Sequence, residues 1–327
     1  MSMTTPLLSI CIPTYNRADA LEDCLESIVK SKGYDDELVE IVVSDNHSSD
    51  ATPMVVERYA DKYKNVVYNR NKENIGGERN FIKVLSLASG KLLKLHNDYC
   101  IFTESGIDDL LRIAQSEDEA ISYIFLDSRQ GFDFLRYECP SMDVFVQKEC
   151  MYLSWISSFV FWKKDFDELD NKDALISMQF MQTDWALRLY QKKEQHVIYF
   201  CDIFRRNPFK EKRGGFNFIN VFSKYPQMFV PYVKKGILSK GVMNNCCKMI
   251  FENLLLWYYR LSIKKDSIYT YDTRGNFETI SNFREKYKIS KLYYLLFVKV
   301  IVFDILPQRL QRKIRVYFLL KQQRSLL

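Results

Sequence analysis

Leu92-Leu93-Lys94-Leu95-His96-Asn97-Asp98-Tyr99-Cys100 begins as an apolar strand and breaks abruptly into polar residues, with the carboxylate of Asp98 at its tip. Everything before it repeats that plan. Leu7 to Ile12 is a nearly continuous apolar run, the pattern of a strand buried on both faces, and Pro13-Thr14-Tyr15-Asn16-Arg17 ends it. Leu21, Cys24, Leu25, Ile28 and Val29 then recur at helical spacing. Val39 to Val43 is a second strand ending in Ser44-Asp45-Asn46-His47-Ser48-Ser49-Asp50, followed by a helix through Val55, Val56, Tyr59 and Tyr63. Val66 to Tyr68 is a third strand and Asn74-Ile75-Gly76-Gly77 a loop. A third helix carries Phe81, Val84, Leu85 and Ala88, with Gly90 expected as its left-handed cap. This repeated β-α-β spacing predicts an α/β fold with a mainly parallel sheet and right-handed crossovers. In such sheets ligands sit beyond the carboxyl ends of the strands. Asp98 stands at that position as a candidate metal ligand, its alternative being a turn residue that satisfies local donors.

Downstream, Ile121 to Leu126 and Phe159 to Trp162 read as further strands, residues 129–150 as irregular, Asp184 to Lys193 as a short helix and His196 to Phe200 as the last sheet-like run. After Arg205 the texture changes, with a helical stretch at 238–262 and a turn-rich linker at 272–275. A chain of 327 residues, 47% hydrophobic and 27% charged, has ample material for a core. Its eight cysteines lie mostly in apolar runs without zinc-site spacing and read as small core residues of a reducing compartment. No basic-then-apolar leader opens the sequence.

Several chemistries are excluded. No GxGxxG follows the first strand, no GxxxxGK[ST] is present, and neither a GxSxG elbow nor HExxH occurs. Three histidines in the chain cannot build a histidine-rich metal site.

Four stretches in this order, Ser9 to Arg17, Glu40 to Asp50, Asn74 to Asn80 and the strand to Asp98, resemble family 2 glycosyltransferases of the GT-A fold. The likeness is strong over roughly the first 100 residues and weak to about residue 205. It is similar in detail to bacterial O-antigen and capsule enzymes of the abequosyltransferase-like kind. The resemblance implies an inverting transferase using a nucleotide-diphospho-sugar, UDP-type favoured, with a lipid-linked or oligosaccharide acceptor. It implies nucleotide contacts from Pro13, Thr14, Tyr15, Asn16, Arg17, Asp45, Asn46, Asn74, Gly76, Arg79, Asn80 and Asn97. Asp45 and Asp50 are equally able to cap the helices that follow, and Gly76-Gly77 to form an ordinary turn.

The family usually carries two or three acids at the metal position, where this chain has His96-Asn97-Asp98. A divalent cation, Mn²⁺ or Mg²⁺, is still expected there on Asp98, because Mg²⁺ takes only one or two protein carboxylates plus phosphate oxygens. His96 is a second candidate ligand, or else a residue packed against the sheet. Asp184 matches the place of the family's catalytic base, with helix N-capping as its alternative. Trp155, Ser157 and Ser158 fall where donor sugar or acceptor is faced, Trp155 being equally a core aromatic. Arg205, Arg206 and Arg213 lie in a basic loop read as a mobile lid or as a solvated segment.

The net charge of +6 is concentrated at the end: after Asp304 come Arg309, Arg312, Lys313, Arg315, Lys321 and Arg324 and no acid. Leu310, Ile314, Tyr317 and Phe318 share one helical face among them. That pattern suits an anionic membrane surface or a helix packed on the protein, and argues against nucleic acid. The apolar run Leu292 to Phe303 is about twelve residues, short of the roughly 20 that span a bilayer. The expected organisation is a GT-A domain over 1–205, a lid and helical region over 206–290, and basic amphipathic helices over 291–327, on the cytoplasmic face of the membrane.

Overall fold

The computed structural model describes residues 5–117, 121–127, 134–193, 195–207, 217–265, 267, 271–295 and 298, with backbone alone for 121–127. The chain divides into two compact units, residues 1–209 and 210–327.

The first unit opens with strict alternation: β1 (Leu8–Thr14), α1 (Ala18–Val29), β2 (Val39–Asp45), α2 (Thr52–Lys62), β3 (Val66–Arg70), α3 (Gly77–Leu87) and β4 (Leu92–Leu95). After β5 (Cys100–Phe102) and α4 (Gly106–Ser116) come β6 (Ile121–Asp127), β7 (Phe134–Glu138) and α5 (Met142–Glu149). Two 3-10 turns, Cys150–Ser154 and Ile156–Ser158, lead into β8 (Phe159–Trp162) and α6 (Lys163–Asp167). The unit closes with α7 (Met181–Tyr190), β9 (Gln195–Cys201) and β10 (Phe204–Arg206). Eight strands form one sheet in the order β3-β2-β1-β4-β8-β6-β9-β7, and β5 pairs with β10 in a second. The pairs β1–β2, β1–β4, β2–β3 and β6–β9 are parallel, while β8 and β7 run antiparallel to their neighbours.

Every residue of β1, β2 and β4 is buried, which is why these strands read as mostly apolar runs, with Glu40 and Lys94 as buried exceptions. Leu21, Cys24, Leu25 and Ile28 of α1 and Ile107, Leu110, Leu111, Ile113 and Ala114 of α4 join them in one core. The chain moves from β1 outward to β2 and β3, then returns to place β4 on the other side of β1. That reversal opens a crevice beyond the carboxyl ends of β1, β2 and β4.

Three expectations are corrected. Gly90 is not a left-handed helix cap, since α3 ends at Leu87 with Ala88 extended. Gly90 is needed for close approach: a Cβ there would lie 2.5 Å from Ser9 Oγ and 2.8 Å from the Ser9 backbone nitrogen. Its N–H donates to Ser9 Oγ at 2.8 Å; Ser9 Oγ donates to Glu40 at 2.5 Å, and the Ser89 hydroxyl and N–H also donate to that buried carboxylate. The stretch expected to be irregular contains β7 and α5, with residues 128–133 outside those described. Arg205 and Arg206 are not in a lid loop; β10 places them antiparallel to Ile101 and Cys100.

In the second unit α8 (Phe218–Lys224), α9 (Val230–Lys234), α10 (Lys240–Tyr258) and α11 (Asn276–Lys286) surround an aromatic core. One face of α10 buries Met243, Cys246, Cys247, Ile250, Phe251, Leu254 and Leu255, which accounts for the adjacent cysteines. Phe251 stacks on Phe283 at 6.3 Å. The 272–275 turn ends at Gly275, whose φ of 68° favours glycine just before α11. Among the described residues no helix is long and apolar enough to cross a membrane. Arg213 and the basic tail after residue 298 lie outside the described residues.

Candidate active site

The ends of β1, β2 and β4 are laced together by the polar residues that terminate them. The N–H of Asn46 donates to the Thr14 carbonyl at 2.9 Å, and the N–H of Asn16 to Ser48 Oγ at 2.8 Å. Asn16 Oδ1 accepts from the Ser49 N–H at 2.8 Å. Asn16 and His47 both hold positive φ, 52° and 68°, a conformation that asparagine and histidine tolerate better than most residues. Pro13 is buried opposite Ser44, and Tyr15 stands 45% exposed at the crevice mouth.

Asp50 caps two helices at once: its oxygens accept from the Thr52 N–H at 3.0 Å and from the Ala18 N–H at 3.2 Å. Burial works against its charge, but the Thr52 and Ala18 bonds outweigh that and lower its pKa. Asp50→Ala is expected to destabilise the protein by about 1–2 kcal/mol, read as a lower urea midpoint. A carboxyl held low stabilises fully above the unfolded carboxylate range and less as pH falls through the folded value. The difference from wild type should therefore shrink on acidification.

Asp45 is wholly buried. Its carboxylate accepts from the Ser48 N–H at 2.9 Å and the Tyr68 hydroxyl at 3.2 Å, with Arg70 Nε 3.6 Å away. It holds the loop after β2. Beside it lies a network of neutral amides. Asn80, in the first turn of α3, exchanges bonds with Ser44 and accepts from Asn71. Asn71 also donates to Asn46, which donates in turn to Asn74 and accepts from the Ile75 N–H. Gly76 holds φ at 85°, where glycine is favoured, and Arg79 follows it exposed on the surface.

At the tip of β4, Asp98 is 4% exposed and bonded twice. Arg17 Nη1 donates to Oδ1 at 2.7 Å and Thr14 Oγ1 to Oδ2 at 2.9 Å. The guanidinium of Arg17 also lies over the Tyr99 ring, 5.3 Å from its centroid. His96 is corrected as a candidate metal ligand. Its ring is fully buried, stacked on Phe102 at 4.3 Å and edge-on to Phe204 at 5.4 Å. Nε2 donates to the Cys100 carbonyl at 3.0 Å, leaving Nδ1 to face Lys94 Nζ at 3.4 Å. Burial keeps the imidazole neutral, with its pKa well below the usual range. Asn97 is equally engaged: its N–H and side-chain amide both donate to Ser157 Oγ.

Lys94, a lysine inside an apolar strand, donates to the carbonyls of Leu95 and Ser157 and lies 4.8 Å from the Phe204 ring. Desolvation lowers its pKa to about 7. With Ser157 it fixes the 3-10 turns against β4. Ser157 and Ser158 are therefore interior, and Trp155 is half-buried between Phe204, at 5.2 Å, and Arg206, whose guanidinium is 5.1 Å from its ring. Arg205 pairs with Asp202 at 2.9 Å.

Asp184 is not an N-cap, because α7 begins at Met181 and places it in the first turn. Its carboxylate pairs with Arg188 at 2.9 Å, and burial, partly offset by Arg188, raises its pKa. The two residues before it tie α7 to the 3-10 turns: Thr183 Oγ1 donates to the Leu153 carbonyl and Gln182 Nε2 to that of Ser154. The start of α7 and Asn97 at the β4 tip thus both bond to residues within 153–158.

Asp98 offers one carboxylate with both oxygens bonded, His96 and Asn97 are engaged elsewhere, and no group of three His, Cys, Asp or Glu suited to a metal occurs among the described residues. The residues do not fit a resident ion.

The chain is 39% identical over 125 residues to abequosyltransferase RfbV of Salmonella typhimurium, covering 38% of this chain and 33% of that one. It is 30% identical over 123 residues to the GalNAc(5)-diNAcBac-PP-undecaprenol beta-1,3-glucosyltransferase of Campylobacter jejuni, covering 37% of each. The matches thus span little more than a third of these relatives. Two solved structures share the fold. TarS 1–349 of S. aureus in complex with UDP-GlcNAc superposes with a TM-score of 0.59 at 13% identity, covering 89% of this chain and 86% of that one. The mannosyltransferase PcManGT of Pyrobaculum calidifontis, in complex with GDP-Man and Mn²⁺, gives 0.54 at 15% identity, covering 97% and 86%. The fold is that of the GT-A glycosyltransferases. The pattern describing "Glycosyl transferase family 2" matches residues 9–212, and the chain belongs to that family.

Proposed function

We propose that the chain is an inverting glycosyltransferase that moves a sugar from a nucleoside-diphospho-sugar, UDP-type favoured, to a glycan carried on a lipid diphosphate during bacterial surface-polysaccharide synthesis. The observation that carries this reading is the placement of four family motifs at adjoining strand ends, with Arg17 and Asp98 paired at the reversal point of the sheet. The lipid-linked acceptor is supported by the undecaprenol in one relative's name, and attachment to an anionic leaflet by the basic, apolar tail.

In the proposed reaction the acceptor hydroxyl attacks the anomeric carbon from the face opposite the diphosphate. A new carbon–oxygen bond forms as the bond to the nucleoside diphosphate breaks. The hydroxyl proton passes to Asp184, whose carboxylate burial makes a stronger base than an exposed one. Arg206 lies over the Trp155 ring, and Asn97 and Ser157 hold the β4 tip.

Purified protein incubated with UDP-, GDP-, CDP- and dTDP-sugars should release nucleoside diphosphate slowly from one of them, with release accelerating when a polyprenyl-diphosphate glycan is added. Release from none, with or without acceptor, overturns the assignment. A non-catalytic nucleotide-binding scaffold would bind a donor and leave it intact.

A further inference from the structure

We propose that the guanidinium of Arg17, rather than a divalent ion, supplies the positive charge that holds the donor's diphosphate, with Asp98 as its positioning residue. The inference rests on the nucleoside-diphospho-sugar reading above. Arg17 is fixed at several points. Its N–H donates to Thr52 Oγ1 at 3.1 Å, Nη1 donates to Asp98 at 2.7 Å, and its guanidinium lies over the Tyr99 ring. The side chain still keeps 31% of its surface exposed at the mouth of the crevice. A planar guanidinium can meet a carboxylate along one edge and a phosphate along another, which an ammonium cannot do with the same geometry.

Charge balance points the same way. A second cation, Arg206, sits opposite Cys100 in the β5–β10 pair, and the charges of both arginines bear on the Tyr99 hydroxyl, the residue that follows Asp98. A second cation so placed adds to the attraction for a diphosphate. An ion seated on Asp98 would have to displace its Arg17 and Thr14 partners, and among the described residues no group of three His, Cys, Asp or Glu stands ready to hold it in return.

The test is calorimetric titration of UDP, GDP, CDP and dTDP into the full chain, once with EDTA and once with Mn²⁺. The nucleoside diphosphate that binds is then titrated into Arg17→Ala and Arg17→Lys. Wild-type affinity should agree within about threefold between EDTA and Mn²⁺. Arg17→Ala should weaken binding by about ten- to a hundredfold in a protein that stays folded by circular dichroism, its melting temperature lowered because buried Asp98 loses its partner, and Arg17→Lys should recover part of the binding. The free nucleoside should bind Arg17→Ala as it binds wild type. Loss of more than about tenfold in EDTA, restored by Mn²⁺, overturns the inference and leaves the donor reading intact. Wild-type affinity in a folded Arg17→Ala protein also overturns it. Binding of none of the four in either buffer removes the donor reading, and this inference with it.

Discussion

Asp184→Asn is expected to lower the turnover number for sugar transfer by about 100- to 10,000-fold, the range general-base catalysis contributes, while nucleoside diphosphate affinity stays near wild type. Asparagine keeps the shape of the side chain and its place in the first turn of α7 but cannot take the acceptor's proton. The cost to folding is small, because what is lost is one partly exposed pair with Arg188, worth about 0–1 kcal/mol. Rates measured by chromatography of the glycan product, beside calorimetry of the nucleotide, separate the two effects. A variant within about threefold of wild type removes Asp184 from the mechanism, since such a loss is far below that of an absent base. The pH profile supplies an independent check. The base must be deprotonated to act, and burial raises its pKa while Arg188 partly opposes the shift. The acid limb should therefore lie above the ordinary carboxylate range, with activity falling as the pH drops through it. Arg188→Met should move that limb higher still.

Gly90→Val is expected to cost about 3 kcal/mol or more in stability, at the upper end of overpacking effects. The first added carbon already meets the backbone of β1 at 2.8 Å, so relief requires β1 and β4 to separate rather than a side chain to rotate. Separation also breaks the Gly90–Ser9 bond and disturbs the buried Glu40, whose oxygens accept from Ser9 and Ser89. Chemical denaturation followed by circular dichroism measures the loss. A midpoint equal to that of wild type would show that the close approach is not obligatory.

Much of this unit was legible in the sequence because its information is local. A strand buried on both faces is written as a continuous apolar run, and its end as a sudden change to polar residues, so β1 to β4 and the crevice beyond them follow from one linear reading. What was not legible depends on partners far away in the chain. The Arg17–Asp98 pair joins residues 81 apart. His96 looks like a ligand when only its neighbours are considered. It is a core residue because Phe102 and Phe204 converge on it, the second delivered by β10 from more than a hundred residues on. The same pairing turned Arg205 and Arg206 from loop residues into strand residues. Gly90 carries no mark that distinguishes a cap from a close approach. Lys94 did carry one, as a cation in an apolar strand, and its two carbonyl partners explain how it is tolerated there.

The amide network at the ends of β2 and β3 has a consequence for thermodynamics. Ser44, Asn46, Asn71 and Asn80 are buried, and their side chains are already bonded to one another and to neighbouring main chain. None carries charge at any pH the protein meets. A ligand settling on this surface releases no proton from it and need not order it, so the entropy of immobilising side chains is spent during folding instead of binding. Heats of association measured in buffers of different ionisation enthalpy should then show no proton exchange contributed by this network.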